Sequence, residues 1–444
     1  MQTSILPQLL DDNPDVQISE QVLRSCVHCG FCNATCPTYL LTGNELEGPR
    51  GRIYLIKSVL EGRIGPGQDG VVAHIDNCLG CLACESACPS GVDFGRRIET
   101  FRPLISTPRH RPLKALWKTL VLVATTNRPL VAAALAAAHA LDRMGLGRLR
   151  RRLPGLSLMP DGGNDPDPTL PPRPVGTARR PRVVLLEGCV APLLRPQTNR
   201  AAVEVLRRNG FDVLEISAQG CCGALALHGG RKKEARALAR KNIEALGNAD
   251  FVVSTSAGCG AMLKDYDRLF ADDPDGGLSA AATALSAKTR DICELLFEEG
   301  FEPPQPLANP HGPVLYHDAC HLVHAQGISQ APRALIAAAT GSAVEDLGDN
   351  QVCCGSAGSY NLDHPAMAER LGADKARLAK DKGAASVAVA NLGCLLQLER
   401  AFALQGLNVE VAHPIELLAS AYRGENGGDG EEGPSLNSTG TVNS

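Results

Sequence analysis

The chain reads CVHCGFCNATCP at residues 26–37 and CLGCLACESACP at residues 78–89. Both stretches have the spacing C-x2-C-x2-C-x3-C-P, and the second lies 52 residues after the first, so the pattern is an internal duplication. A helical pattern from about Arg50 to Glu61 lies between the two copies. Because this connection is too long for a compact ferredoxin flanked by strands, we expect an all-α, helical ferredoxin-type module at residues 1–101.

The duplicated spacing is typical of proteins that hold two iron–sulfur clusters. Three cysteines, with two residues between neighbours, bind one cluster through their thiolates. The fourth cysteine, which is followed by proline, binds the other cluster. Zinc also uses paired C-x2-C motifs, but it has no need of a third and a fourth cysteine followed by proline, twice. We therefore predict two [4Fe–4S] clusters, one bound by Cys26, Cys29, Cys32 and Cys88 and the other by Cys78, Cys81, Cys84 and Cys36.

A second, independent duplication spaces eight further cysteines 131 to 135 residues apart. The first half holds Cys189, Cys221, Cys222 and Cys259, and the second holds Cys320, Cys353, Cys354 and Cys394. Strand-like runs alternate with Ala-rich helical patterns in both halves, and FVVSTS and SVAVAN end at loops that hold Cys259 and Cys394. The expected fold class is α+β multidomain, with two tandem α/β domains of Cys-Cys-Gly (CCG) type at residues 182–312 and 313–422.

The vicinal cysteines at a glycine turn present two thiols to one point, which suits a cluster or a redox pair. The alternative is that the eight cysteines are buried small hydrophobic residues, but duplication of the whole CCG element argues against it. Cys293 has no counterpart in the first half, so we expect it in the core. His317, His321 and His324 lack a carboxylate at zincin spacing and are predicted to be structural or to support ligands.

Composition excludes several classes of function. The 44 basic and 48 acidic residues give a net charge of −4, which is too balanced for a general nucleic-acid binder. Seventeen cysteines and no basic, apolar leader pattern at the start favour metal or redox chemistry in the cytoplasm over a disulfide framework. No apolar run reaches the length of a membrane-spanning helix, and no Ser/His/Asp triad or flavin fingerprint is present, so we expect no catalytic residue in this chain.

Three segments lie outside these domains. Residues 102–153 form a basic helical segment, because residues 102–152 carry eleven Lys or Arg and one acidic residue, Asp142. This segment could lie on an anionic membrane face, dock an acidic subunit or be a solvated helix face. Residues 154–181 contain eight prolines and are predicted to be a linker, and residues 423–444 are predicted to be a disordered tail.

With both cluster motifs, the stretch GNELEGPRGRIYLIKSVLEG and two CCG elements, residues 15–422 resemble the iron–sulfur subunits of bacterial glycolate oxidase (glycolate dehydrogenase). The resemblance implies FAD-binding partner subunits that oxidise glycolate, and often D-lactate. It also implies transfer of electrons through this chain to a membrane acceptor such as quinone, from the inner face of the cytoplasmic membrane. The same family pattern assigns the cluster-ligand role to the eight N-terminal cysteines.

The chain departs from the wider CCG superfamily at one position in each half. Heterodisulfide reductase-type subunits end each repeat in C-x-x-C, whereas this chain has Ser256 and Asn391 in place of the first of those cysteines. Cluster binding by the CCG halves is therefore left open. The alternatives to a glycolate oxidase subunit are the iron–sulfur subunit of an anaerobic glycerol-3-phosphate dehydrogenase or of a lactate-utilisation complex, a cluster-based redox sensor, and a thiol-dependent CCG enzyme.

Overall fold

The structure is a computed structural model that describes residues 2–5, 14–105, 112–147, 159, 180–271, 273, 276–307, 313–348 and 352–426. Nearly all of the predicted linker at residues 154–181 lies outside the described residues. So do residues 148–153 of the basic segment and residues 427–444 of the predicted tail.

The N-terminal module is built from helices. They are α1 Pro14–Ser25, α2 Pro37–Thr42, α3 Pro49–Leu60, α4 Asp69–Asp76, α5 Ala83–Ser86 and α6 Phe94–Ile105, with 3-10 turns at Phe31–Asn33 and Glu45–Glu47. Proline opens α2 and α3, where its missing N–H leaves no helical bond unmade. Val16 and Leu23 of α1 pack with Ile98 and Phe101 of α6 in the core. The described residues before Arg182 contain no strand, which confirms the all-α prediction.

Two further helices, α7 Pro112–Thr126 and α8 Arg128–Arg143, follow in the basic segment. Helix α6 runs through Ile105, so it crosses the predicted boundary at residue 101. Among the described residues no single helix is long and apolar enough to cross a membrane. Thr119–Thr126 and α8 meet the length and composition criteria only as a pair, which bends by 91°.

The two repeats each form a four-stranded parallel sheet. The first contains β1 Arg182–Leu186, α9 Ala191–Leu194, α10 Pro196–Arg208, β2 Asp212–Leu214, α11 Ala224–His228, α12 Lys232–Leu246, β3 Phe251–Ser254, α13 Ala257–Lys264, α14 Tyr266–Leu269, α15 Gly277–Lys288, β4 Thr289–Asp291 and α16 Ile292–Glu299. The second contains β5 Val314–Tyr316, α17 Cys320–Gln326, α18 Gln330–Thr340, β6 Glu345–Asp346, α19 Tyr360–Asp363, α20 Pro365–Asp381, β7 Ser386–Ala388, α21 Leu392–Leu404, β8 Glu410–Ala412 and α22 Pro414–Asn426.

The strand orders, β2-β1-β3-β4 and β6-β5-β7-β8, are equivalent, so the cysteine duplication reflects a duplication of fold. One hydrophobic core runs through both repeats, from Val183 and Val205 to Leu315 and Leu395. The prediction of two tandem α/β units is confirmed, and the two units pack as one body. In each repeat the cysteines follow the carboxyl ends of the first three strands, the edge at which parallel sheets usually bind ligands.

Two expectations need correction. Cys259 and Cys394 lie in the first turns of α13 and α21 rather than in loops, because the helix begins within three residues of each strand. The predicted tail starts too early, since α22 continues through Asn426. Arg423, at the predicted start of the tail, forms an ion pair of 2.6 Å with Glu204 of α10.

Candidate metal centres

The first predicted ligand set comes together in one pocket near the surface. The pocket encloses about 410 Å³, part of which is open to solvent. Burial, together with the charges of the other three cysteines, raises the pKa of the Cys32 thiol to about 11. Iron displaces the protons of such thiols when it binds, so the donor set suits an iron–sulfur cluster. The cysteines that line the pocket are Cys26, Cys29, Cys32 and Cys88, together with Cys84 of the other predicted set.

The second predicted set is buried deeper. Burial raises the pKa of Cys81 and of Cys84 well above the ordinary thiol value, and the charges of Cys36 and Cys78 contribute in both cases. The four thiols therefore lie within electrostatic reach of one another, in the crossed arrangement that the spacing predicts. Their assignment as ligands stays a prediction. The four cysteines are Cys36, Cys78, Cys81 and Cys84, each at most 9% exposed.

The backbone of the two motifs repeats as closely as their sequence. His28 and Gly30 have φ of 61° and 92°, and the equivalent Gly80 and Leu82 both have φ of 65°. The left-handed turn brings the N–H of His28 to within 3.4 Å of the Cys26 sulfur, and the N–H of Gly80 equally close to the Cys78 sulfur. Such N–H donors stabilise negative charge on sulfur and so influence a cluster's reduction potential. A non-glycine residue in this conformation is strained, and each motif contains one.

A buried ion pair lies against the second set. The guanidinium of Arg52 is 2.8 Å from the Glu47 carboxylate and 3.9 Å from the Cys36 sulfur. Burial opposes the charge of Arg52, but the charges of Cys78, Cys36 and Glu47 raise its pKa, so it stays a cation. Its neighbour Gly51 is required by packing, since a Cβ there would lie 2.1 Å from the Glu45 carbonyl oxygen. These contacts explain the GPRGR stretch, whose role the sequence analysis did not predict.

A second buried arginine lies near the first set. Arg97 is fully buried and donates one bond of 2.6 Å to the Ser19 carbonyl, while its Nε and Nη1 have no hydrogen-bond partner in the described ranges. Burial lowers its pKa to about 9, and the charge of Cys26 opposes that shift. Each predicted cluster therefore has its own buried guanidinium.

The first set is bordered by exposed apolar side chains. Val27 and Phe31, which flank Cys29 in the motif, are each 68% exposed. The ring of Tyr54, also exposed, lies 6.4 Å from the His28 ring. We call these side chains, Val27, Phe31 and Tyr54, the apolar rim. Its composition suits a protein-protein contact, in which aromatic residues are enriched.

The second set faces the second repeat instead. Leu79, Cys81 and Ala83 pack in one apolar cluster with Cys320 and Cys353. The charge of Cys320 is the largest contribution after burial to the raised pKa of Cys81. At the edge of this contact, Ser86 lies 2.9 Å from the His324 ring nitrogen. The two duplicated cysteine systems therefore meet at this interface.

The glycine of each CCG element is required by the backbone. Gly223 and Gly355 both have φ of 92°. A Cβ at Gly355 would lie 3.0 Å from the Cα and carbonyl oxygen of Ala368, and one at Gly223 would lie 3.1 Å from the Ala235 carbonyl oxygen. The vicinal cysteines are thus turned into the site by a left-handed residue that packs against α12 in the first repeat and α20 in the second.

The four cysteines of the first repeat form a chain of thiol contacts. The sulfurs of Cys222 and Cys259 are 3.3 Å apart. Hydrogen bonds from Cys189 and Cys222 lower the pKa of Cys221. Tyr266 fixes this loop by donating a bond of 2.7 Å to the Cys222 carbonyl.

In the second repeat the sulfurs of Cys320 and Cys353 are 4.0 Å apart. The thiols of Cys353 and Cys354, and of Cys354 and Cys394, lie within hydrogen-bonding reach. The structure therefore brings each predicted group of four together. It also places His317 beside this group. Cys293 belongs to neither group and is fully buried in the core, as expected.

The two positions at which the superfamily has another cysteine contact each other. The Ser256 hydroxyl donates to the Asn391 side-chain oxygen at 2.9 Å, and the Asn391 amide is 3.2 Å from the Cys394 sulfur. The substituted residues therefore join the two repeats.

Comparisons with known proteins agree with this architecture. Residues 22–92 match a family model described as a 4Fe-4S dicluster domain, and residues 183–264 and 314–399 match one described as a cysteine-rich domain. The chain is 35% identical to the glycolate oxidase iron-sulfur subunit of Escherichia coli (strain K12), over 96% of this chain and all of that relative. It is 33% identical to the probable glycolate oxidase iron-sulfur subunit of Bacillus subtilis (strain 168), over 91% of this chain and 95% of that relative. Lactate utilization protein A of Shouchella clausii is 31% identical over 54% of this chain and 98% of its own length.

Proposed function

Because this chain belongs to the family of glycolate oxidase iron–sulfur subunits, we propose that it carries electrons away from a flavin that has oxidised glycolate. The FAD resides on partner subunits, D-lactate is a second substrate of the complex, and the acceptor is a membrane quinone. Two [4Fe–4S] clusters, bound by the eight N-terminal cysteines, accept and release one electron at a time. The organic chemistry takes place on the partner's flavin.

The observation that supports this proposal is the asymmetry of the two ligand sets. The set containing Cys29 lies under the apolar rim, and the set containing Cys81 packs against Cys320 of the second repeat. A flavoprotein that covers the rim would bring its flavin near the first set. Electrons would then leave through the second set, toward the repeats.

The relay is tested with Cys26→Ala in the assembled complex. We expect glycolate to reduce the flavin at the normal rate, and electron transfer to a quinone analogue to fall at least about 100-fold, because the first cluster is lost. Rapid mixing under anaerobic conditions, followed at the flavin absorbance and with the quinone analogue, measures both steps. Cys293→Ala, which changes a core cysteine outside both sets, is the control. Quinone reduction at the normal rate by the Cys26 variant would exclude the relay.

Docking of the flavoprotein is tested separately with Phe31→Glu. A charge at the apolar rim should weaken co-purification of the flavin subunit while the iron content of this chain stays unchanged. Leu404→Glu changes a residue of α21 that is also exposed and serves as the matched control. Unchanged co-purification of the Phe31 variant would place the flavin subunit on another face.

We further propose that the protein is cytoplasmic and lies on the inner face of the cytoplasmic membrane through the helix pair α7 and α8. The support is composition and exposure. Leu116, Leu120 and Leu130 are about half exposed, with Trp117 beside them, and the basic residues of the segment suit anionic lipid headgroups. This arrangement would bring the repeats near the quinone pool.

Lactate oxidation is the second candidate function. It is favoured by the lactate utilization relatives, which align along almost their whole length. Measurement of kcat/KM for the purified complex with glycolate and with D-lactate distinguishes the two functions. A stable flavoprotein partner in either case distinguishes both functions from a cluster-based sensor, which needs none.

A further inference from the structure

His317 follows β5 directly and is 1% exposed, yet within the part of the chain that the structure describes neither of its ring nitrogens has a hydrogen-bond partner. Buried polar atoms are nearly always paired, so an unpaired imidazole requires an explanation. A ring nitrogen of His317 and the sulfurs of Cys354 and Cys394 all lie within 4.8 Å of one another. Imidazole and thiolate are the donors that zinc and iron prefer in proteins.

One further thiol lies beside this group. Cys353 is within hydrogen-bonding reach of Cys354, and its sulfur is 4.0 Å from that of Cys320. Tetrahedral binding with metal–sulfur bonds of about 2.3 Å puts ligand sulfurs about 3.8 Å apart. Cys353 lies outside the group whose ligand atoms are all within 4.8 Å of one another, so its thiol has to shift toward the ion to become a fourth ligand.

The N-terminal cysteines serve as an internal comparison. Among the described residues, no three of their sulfurs lie within 4.8 Å of one another. This is the arrangement expected of a four-iron cube, in which each thiolate binds its own iron. The site around His317 is tighter and belongs to a different kind of centre.

The first repeat lacks this site. The position equivalent to His317, 131 residues earlier, is Leu186, which is buried in an apolar core. No three ligand atoms of the first repeat lie within 4.8 Å of one another in the part of the chain that the structure describes. The two repeats share a fold and a cysteine pattern, but only the second has an imidazole at its centre.

We propose that the second repeat binds a single soft metal ion, iron or zinc, through His317, Cys354, Cys394 and the thiolate of Cys353. Three thiolates and a divalent ion leave a net charge of −1. The buried Lys375 lies close enough for its charge to act on His317, and it offsets that charge. The proposal concerns the metal content of this chain alone and does not depend on glycolate or the flavin partner.

The test is metal analysis of the anaerobically purified full-length chain, with iron and zinc normalised to the electron paramagnetic resonance signals of the N-terminal clusters. Wild-type protein should hold about one ion beyond those clusters. His317→Leu, which copies the first repeat, should lose that ion and keep the N-terminal signals. His317→Cys should retain it, which also shows that loss in the Leu variant is not misfolding. Cys189→Ser, in the first repeat, is the matched control and should leave the ion in place.

X-ray absorption at the edge of the metal found identifies the ligands. One imidazole and three sulfur neighbours in the wild type, with the imidazole absent in His317→Cys, would support the site, and the edge itself tells iron from zinc. Wild-type protein without metal beyond the N-terminal clusters, or a His317→Leu variant with unchanged metal, would overturn the proposal. A spectrum without imidazole would overturn it as well.

Discussion

Arg52 and Arg97 give each predicted cluster a buried positive charge. Arg52 is held by Glu47, whereas two of the guanidinium nitrogens of Arg97 have no hydrogen-bond partner among the residues that the structure describes. A cluster with four thiolates is an anion in both oxidation states, so a nearby cation favours its reduced form. The two arginines are therefore positioned to raise the potentials of the centres beside them.

Replacement of Arg97 tests this role. Arg97→Met should lower the potential of the first cluster by on the order of 50 mV, because a charge is removed from a poorly screened site. Arg97→Lys keeps the charge and should change the potential much less. Redox titration followed by electron paramagnetic resonance measures both variants. Equal potentials in the wild type and the Met variant would assign Arg97 a packing role only.

The CCG glycines give a prediction about stability. Gly355→Ala should cost about 2–4 kcal/mol, from its left-handed φ together with the close approach of Ala368. Gly383→Ala is the matched control, since φ is 61° there and a Cβ would meet nothing within 4 Å, so it should cost only about 1 kcal/mol. Thermal unfolding of both variants compares the two costs. Equal losses of stability would mean that α20, which contains Ala368, shifts to accommodate the new methyl group.

Among individual residues, the sequence predicts the grouping of the cysteines well and the side chains that surround them poorly. The spacing of Cys26, Cys29 and Cys32 predicts that these three thiols meet, because a local motif fixes their geometry. His317 meets Cys394 only after the register of β5 and β7 brings residues 77 positions apart to one sheet edge. A local pattern contains no information about that contact, and the same is true of Arg97 near Cys26.

Among the elements, the helix pair α7 and α8 stands out because its outer face is apolar. Val121 and Leu122 of α7 are buried, while Leu116, Leu120 and Val123 are exposed on the other side. Trp117 donates a hydrogen bond of 3.0 Å to Asp363, which ties α7 to the second repeat. The helix pair is therefore attached to the second repeat, and its apolar side faces outward.

Leu116→Glu combined with Leu120→Glu should weaken binding to vesicles that contain anionic lipid, by about 2–4 kcal/mol if both side chains insert. Flotation with such vesicles measures the bound fraction. Leu404→Glu removes an exposed leucine elsewhere and should have no effect. If the double variant still floats like the wild type but loses its flavoprotein partner, the helix pair is a subunit contact.

The sequence predicts the central strands better than the edge strands. The apolar runs at β1, β3, β5 and β7 were identified from sequence because these central strands are buried. The edge strands β4 and β8 have three residues each, TRD and EVA, and were missed. The central strands β5 and β7 are equally short but lie in apolar runs, whereas TRD and EVA do not, and only pairing with a central strand makes these edge segments strands.

At the scale of the whole molecule, the two repeats are joined by polar bonds around their shared core. His413 is fully buried beside β8, and its Nε2 donates to the Thr255 carbonyl of the first repeat at 3.0 Å. Its Nδ1 accepts from the N–H of Ile415 at 3.1 Å. Arg195 adds an ion pair of 3.0 Å with Glu416. The sequence does not predict this junction, because no local pattern shows that residues 158 positions apart, such as Thr255 and His413, come into contact.

The junction makes stability depend on pH. Burial lowers the pKa of His413 from 6.5 to about 4, the nearby Glu416 carboxylate opposes this shift, and Arg195 adds to it. The stabilisation is complete above pH 6.5 and is lost as the pH falls toward 4, because only the unfolded chain takes up the proton readily. The loss amounts to about 3 kcal/mol for this residue.

Thermal unfolding at pH 7 and pH 5 measures the effect. The melting temperature of wild-type protein should fall on acidification, and His413→Gln should show a smaller fall while starting from a lower value. The same pH sensitivity in both proteins would attribute it to other buried histidines, such as His321.

The burial of Cys81 against the second repeat limits when the second ligand set can receive a cluster. A cluster delivered by a carrier protein must reach the second ligand set before Leu79 and Ala83 close onto Cys320 and Cys353. The N-terminal module therefore has to be loaded while it is still undocked, whereas the surface set with Cys29 can be filled or repaired afterwards. Insertion of the inner cluster is then the step that commits the chain to its final shape.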